Sequence, residues 1–142
     1  MNSIVNTPLD ALVQWYETLS PASLENIGAY YVDDAYFRDP FNEVKALAGI
    51  QKIMGDMFER LENPHFVIED RLTQGQAGFI TWRFIFSLRC KPMQIHGSTH
   101  LRFAADGRVT FHRDYWDAAG ELYEKLPALG WLMRRLKKMF AS

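Results

Sequence analysis

The chain has 142 residues, 48% of them hydrophobic and 23% charged, which suits one globular core and is too apolar for a disordered segment. Its net charge of −1, from 16 basic and 17 acidic residues, lacks the basic excess of a nucleic-acid groove, so no nucleic acid partner is expected. One cysteine, Cys90, excludes an internal disulfide framework and agrees with a reducing cytoplasm.

The first residues, Met1-Asn2-Ser3-Ile4-Val5, hold neither a basic stretch nor a long apolar one, so no signal peptide is expected. Over 8–19, Leu9, Leu12, Val13, Tyr16 and Leu19 recur at helical spacing, and Pro8 suits a first turn. Ser20-Pro21 ends that pattern, and Ser23 can cap a second helix over 24–32 with Leu24, Ile27 and Tyr31 on one face. An extended piece over 35–39 stops at Pro40, because the residue before a proline avoids the helical region. A third helix is predicted over 46–61, with a stripe from Leu47 through Ile50, Met54 and Phe58 to Leu61. Beyond it the period changes to two. Strands are predicted over 65–73, 79–89, 94–104 and 108–116, the last two joined by the hairpin dipeptide Asp106-Gly107. From Ala118 the pattern is helical again, broken at Pro127 and Gly130.

Helices followed by a strand meander predict a single α+β domain over 1–142, with the helices on one face of an antiparallel sheet. Ile80, Trp82, Phe84, Phe86 and Leu88 alternate onto one face of the long strand, and Ile95, Gly97, Thr99, Leu101 and Phe103 share it in the next. His96 and His100 alternate onto the opposite, polar face, so no metal set is expected. Aromatic residues make up 14% of the chain, which means either a bulky core or a cavity lined with rings. In the final strand Val109, Phe111, Arg113 and Tyr115 alternate against Thr110, His112, Asp114 and Trp116. His112 and Asp114 share a face: they form a proton-handling pair if that face lines a cavity, or a solvated pair if it does not. Asp39, standing before proline, is either a functional carboxylate or a turn residue bonded to nearby backbone. Tyr16 falls on a helical core stripe, where a tyrosine is usually buried with its hydroxyl satisfied.

The phrase Tyr30-Tyr31-Val32-Asp33-Asp34-Ala35-Tyr36-Phe37-Arg38-Asp39-Pro40, after two helices and before a strand meander, resembles the nuclear transport factor 2-like superfamily and its SnoaL-like and steroid Δ-isomerase-like members. The resemblance implies a cone-shaped α+β barrel, a strongly bent sheet and three N-terminal helices around an apolar interior, to which the helical pattern from Ala118 adds a C-terminal helix. It also implies residue roles. Asp39 matches a general base acting on an enolisable ketone, and Tyr16 a donor to the developing enolate oxygen. Thr99, before His100-Leu101-Arg102-Phe103, stands where ketosteroid isomerases carry a protonated acid, so half of that oxyanion hole is weakened. His112 and Asp114 fall on the pocket face in this alignment, among Trp82, Phe84, Phe86 and Trp116.

These residues suggest an acid–base isomerase or lyase for a small apolar molecule, without a cofactor. The alternatives are a non-catalytic pocket for a lipophilic ligand and a dimeric interaction module. A homodimer is expected through the outer sheet face, where Ile85, Phe111 and Tyr115 interrupt a polar surface. Over 129–140, Leu129, Leu132, Met133, Leu136 and Phe140 form a stripe opposite Arg134, Arg135, Lys137 and Lys138. That segment is expected to pack on the domain or its mate, with membrane contact as the alternative.

Overall fold

The structure, a computed structural model, describes residues 7–121 together with Arg135, Lys138 and Met139. Helix α1 (Pro8–Glu17) starts in a reciprocal capping box, with Thr7 and Asp10 each accepting from the other's backbone N–H. It buries Leu9, Leu12, Val13 and Tyr16 as the periodicity predicts, and also Trp15, which stacks on Tyr30. The second helix is much shorter than predicted. After α2 (Pro21–Leu24) comes a 3₁₀ turn (Ile27–Ala29), and Tyr31 already opens β1 (Tyr31–Arg38). Tyr31 is therefore a fully buried strand residue. A three-residue strand with no pattern of its own, β2 (Glu43–Lys45), precedes α3 (Leu47–Arg60). Then follow β3 (Glu62–Gln74), β4 (Ala77–Leu88), β5 (Lys91–Phe103), β6 (Val109–Tyr115) and the short α4 (Ala118–Glu121). The predicted amphipathic stretch over 129–140 lies outside the described residues except for Arg135, Lys138 and Met139, which are helical and exposed.

The described strands form one six-stranded sheet in the order β2-β1-β6-β5-β4-β3. Two expectations need correction. The sheet is mixed, because β1 runs parallel to β6 while every other junction is antiparallel. It is also not closed as a barrel: β2 and β3 are its edges. The result is a cone-like α+β fold with α1 and α3 packed on the sheet. The alternation predicted for β4 and β5 holds, with Ile80, Trp82, Phe84 and Phe86 buried together with Ile95, Thr99, Leu101 and Phe103.

Strand β6 departs from strict alternation at one point. Arg102 pairs with Phe111 but Phe103 pairs with Val109, so β6 holds one extra residue there. This bulge at Thr110 turns Val109 to the buried side, the side that His112 and Asp114 also take, instead of leaving it with Phe111. The β4–β5 connection is a two-residue loop in which Arg89 and Cys90 both take positive φ, 52° and 64°. Cys90 is exposed there, and its N–H donates to Glu62 Oε1 at 2.8 Å.

Candidate active site

Between α1, α3 and the inner sheet face lies a cavity of about 390 Å³. Helix α3 gives one wall through Ile53, Met54 and Met57, because the spacing of these residues turns them toward the sheet. All nine site residues read from the sequence line it: Tyr16, Asp39, Trp82, Phe84, Phe86, Thr99, His112, Asp114 and Trp116. The rim is aromatic, with Phe41 edge-on to Trp116 at 5.6 Å between ring centres. Asp39, Asp114 and Trp116 also border a shallow outer depression, which places them at the cavity mouth.

The polar side chains form one continuous chain of hydrogen bonds. Trp82 Nε1 donates to Thr99 Oγ1 at 2.8 Å, and Thr99 Oγ1 donates to Asp114 Oδ1 at 2.6 Å. His112 Nε2 meets the same Oδ1 at 2.7 Å, and its Nδ1 lies 2.8 Å from the Tyr31 hydroxyl and 3.2 Å from that of Tyr16. The two tyrosine hydroxyls also bond each other. Direction along this chain is set at its far end. An indole N–H only donates, so the Thr99 oxygen accepts from Trp82 and its own proton goes to Asp114. With Asp114 accepting from Thr99 and from the His112 Nε2–H, Nδ1 is left to accept from a tyrosine. Burial pushes the Tyr16 and Tyr31 phenols well above their ordinary range, so both hold their protons and remain donors.

Thr99 and His112 are nearly sealed from solvent, at 2% and 4% exposure. Asp114 is more open, with 18% of its side chain exposed. Both of its hydrogen bonds fall on Oδ1, and among the described residues none falls on Oδ2. Asp39 is held differently. Its Oδ1 accepts from the backbone N–H of Phe41 at 2.8 Å and of Asn42 at 2.7 Å, and from the Asn42 side chain, an arrangement that closes a turn. Tyr31 was not among the predicted site residues, because a tyrosine at helical spacing reads as core. The signal available was its place beside Tyr30 at the head of the Asp33-Asp34 phrase.

No curated protein sequence matches the chain. Among solved structures, an LEH-like epoxide hydrolase from M. tuberculosis aligns with a TM-score of 0.70 at 16% identity, covering 95% of this chain and 94% of that one. A hypothetical protein with a ketosteroid isomerase-like fold from Catenulispora acidiphila, solved with trimethylamine, aligns with a TM-score of 0.68 at 18% identity, over 81% of this chain and 88% of that one. A nuclear transport factor 2-like protein of unknown function from Burkholderia pseudomallei gives a TM-score of 0.70 at 11% identity, over 80% and 92%. At such identities the likeness establishes the fold. The SnoaL-like domain family model matches residues 12–112, from α1 to the histidine of the hydrogen-bonded chain. The chain therefore belongs to the SnoaL-like family, and its fold is that of nuclear transport factor 2-like proteins.

Proposed function

We propose that the protein is an acid–base enzyme, an isomerase or lyase for a small apolar molecule, with Asp114 as the proton acceptor. The observation that carries this reading is the carboxylate itself: Oδ1 is fixed by Thr99 and His112, while among the described residues Oδ2 has no hydrogen-bond partner at the mouth of an apolar cavity. A carboxylate held in this way is oriented before substrate arrives, so little reorganisation remains for the reaction. His112 and Thr99 stabilise its charge, and Tyr31 with Tyr16 fixes the imidazole tautomer. Asp114 would take a proton from a substrate carbon or oxygen, or from a water, and return it at the end of the cycle. Asp39, tied into its turn, contributes a second carboxylate and the shape of the mouth. That an LEH-like epoxide hydrolase from M. tuberculosis has a similar fold supports an enzymatic reading of the cavity.

The test is turnover of a panel of enolisable ketones, hydroxyketones and epoxides by the wild type, Asp114→Asn and Asp39→Asn. Asp114→Asn lowers turnover by about 10²–10⁴-fold, the usual contribution of a positioned base, whereas Asp39→Asn keeps its turn and most of its activity. Equal activity of wild type and Asp114→Asn refutes the assignment. We propose further that the outer sheet face pairs two copies, since Phe79 and Tyr115 there are 38% and 45% exposed. A purely monomeric sedimentation profile argues against that pairing.

A further inference from the structure

Three neighbouring strands each bring one member of an arm that holds the carboxylate: Trp82 on β4, Thr99 on β5 and Asp114 itself on β6. The ladder sets this up. Thr99 and Asp114 are direct cross-strand partners, so a short side chain spans the gap and donates at 2.6 Å. Trp82 stands instead opposite Gly97, two places before Thr99 on the same face. A Cβ at Gly97 would fall 2.4 Å from the indole, so glycine there lets the ring lie over β5 and bring Nε1 within 2.8 Å of Thr99 Oγ1. Phe66 packs edge-on against the same ring, and Trp82 and Thr99 are both buried.

The bond types give this arm a direction. An indole N–H only donates, so the Thr99 hydroxyl cannot turn its proton back toward Trp82. That one proton goes to Asp114 Oδ1, and a hydroxyl that accepts one hydrogen bond donates the next more strongly. Thr99 is also β-branched, which stiffens its χ1 and keeps the oxygen between its two partners. Its proton is thus spent on the carboxylate, although the family resemblance set Thr99 among the groups that meet a substrate oxygen. We propose that Trp82 is a positioning residue that acts on Asp114 through Thr99, and that the Thr99 hydroxyl serves the base rather than the substrate. Trp82 then has two separable roles, since its ring walls the cavity while its N–H orients the base. This rests on the acid–base reading of the same site.

The experiment is a double-substitution cycle with Trp82→Phe and Thr99→Val. It is read on turnover of the ketone and epoxide panel and on the Trp82 indole resonance in a proton–nitrogen correlation spectrum. Thr99→Val lowers kcat about 10- to 100-fold, as misplacing a reacting group does, and Thr99→Ser, which keeps the hydroxyl, stays within about threefold of wild type. Trp82→Phe lowers kcat about 3- to 10-fold alone but less than about twofold in the Thr99→Val background, where the path to Asp114 is already cut. Its effect on KM, which comes from the altered wall, is the same in both backgrounds. The spectrum needs no substrate. Asp114→Asn shifts the Trp82 indole proton, and the shift is at least about twofold smaller in the Thr99→Val background. Equal kcat losses from Trp82→Phe in both backgrounds, no loss on Thr99→Val, or an equal indole shift in both backgrounds overturns the proposal. If Thr99→Val does not fold, Thr99→Ala takes its place, and if nothing in the panel is turned over, the spectrum alone decides. Turnover that depends on Asp114 but not on Thr99 refutes this proposal alone. Turnover indifferent to Asp114, with the spectral coupling intact, refutes the catalytic assignment alone.

Discussion

Gly97 sits directly across from Trp82 in the β4–β5 ladder, and the indole lies against it. A Cβ at Gly97 would fall 2.4 Å from Trp82 Cη2, 2.5 Å from Cζ2 and 2.9 Å from Cζ3. Those atoms belong to a rigid ring, so the clash cannot be relieved by bending a flexible end. Phe66 meets the same indole edge-on at 5.6 Å, and Nε1 is tied to Thr99, so any withdrawal costs packing or the hydrogen bond. Overpacking of this kind costs about 1–3 kcal/mol, and loss of the hydrogen bond adds about 1 kcal/mol. At about 2–4 °C per kcal/mol for a chain of this size, Gly97→Ala should lower the melting temperature by about 5–15 °C. Gly55→Ala serves as the opposite control: in α3 its Cβ would meet nothing closer than Leu24 Cδ2 at 3.9 Å, so it should gain about 0.5–1 kcal/mol from helix propensity. The assay is thermal and urea unfolding of both variants and of Gly97→Ala in a Trp82→Phe background, where the outer indole atoms are gone. An unchanged melting temperature for Gly97→Ala, or an equal cost in both backgrounds, would refute the reasoning.

The phenols make an alkaline prediction. Unfolded tyrosine ionises near pH ~10, whereas burial holds folded Tyr16 and Tyr31 protonated beyond that, so their contribution is intact below pH ~10 and is lost as pH rises above it. Two groups remove about 2.7 kcal/mol per pH unit, and two of the six tyrosines should gain phenolate absorbance only as circular dichroism reports unfolding; their titration in the folded protein refutes this. At the β4–β5 turn, left-handed backbone at Cys90 costs a non-glycine residue about 1–2 kcal/mol. Cys90→Gly keeps the backbone bond to Glu62 and should raise the urea midpoint by the equivalent of about 1 kcal/mol; a lowered midpoint counts against the turn assignment.

The cavity walls were legible because alternation is a local signal. Trp82, Phe84, Phe86 and Thr99 are buried on the face that their period assigns. Features set by a partner strand were not legible. The parallel pairing of β1 with β6 joins residues some 75 positions apart, such as Phe37 and His112, and leaves no mark on either segment. Strand β2 is too short for a period to show. Tyr31 fits helical spacing after Leu24 and Ile27, yet the chain straightens after Ala29, and only tertiary packing sets its hydroxyl against His112. For Asp39 the local reading, a carboxylate closing a turn, describes the bonds that it makes. By pattern alone His112 and Asp114 had two meanings; the family resemblance implied the cavity face, and the pairing of β6 with β5 agrees with it.

The bulge at Thr110 makes the two ends of β6 separately adjustable. Under strict alternation Val109 and His112 face opposite sides, so one strand could not seat an apolar anchor beside the hairpin and also aim His112 and Asp114 into the cavity. The extra residue absorbs that half-step. Length changes in the Ala104–Arg108 turn, where loops ordinarily vary, can then be taken up at the bulge before they reach the site. Strand β6 thus lets the hairpin drift in sequence while the end that carries His112 and Asp114 stays in phase, a form of insulation between loop and cavity.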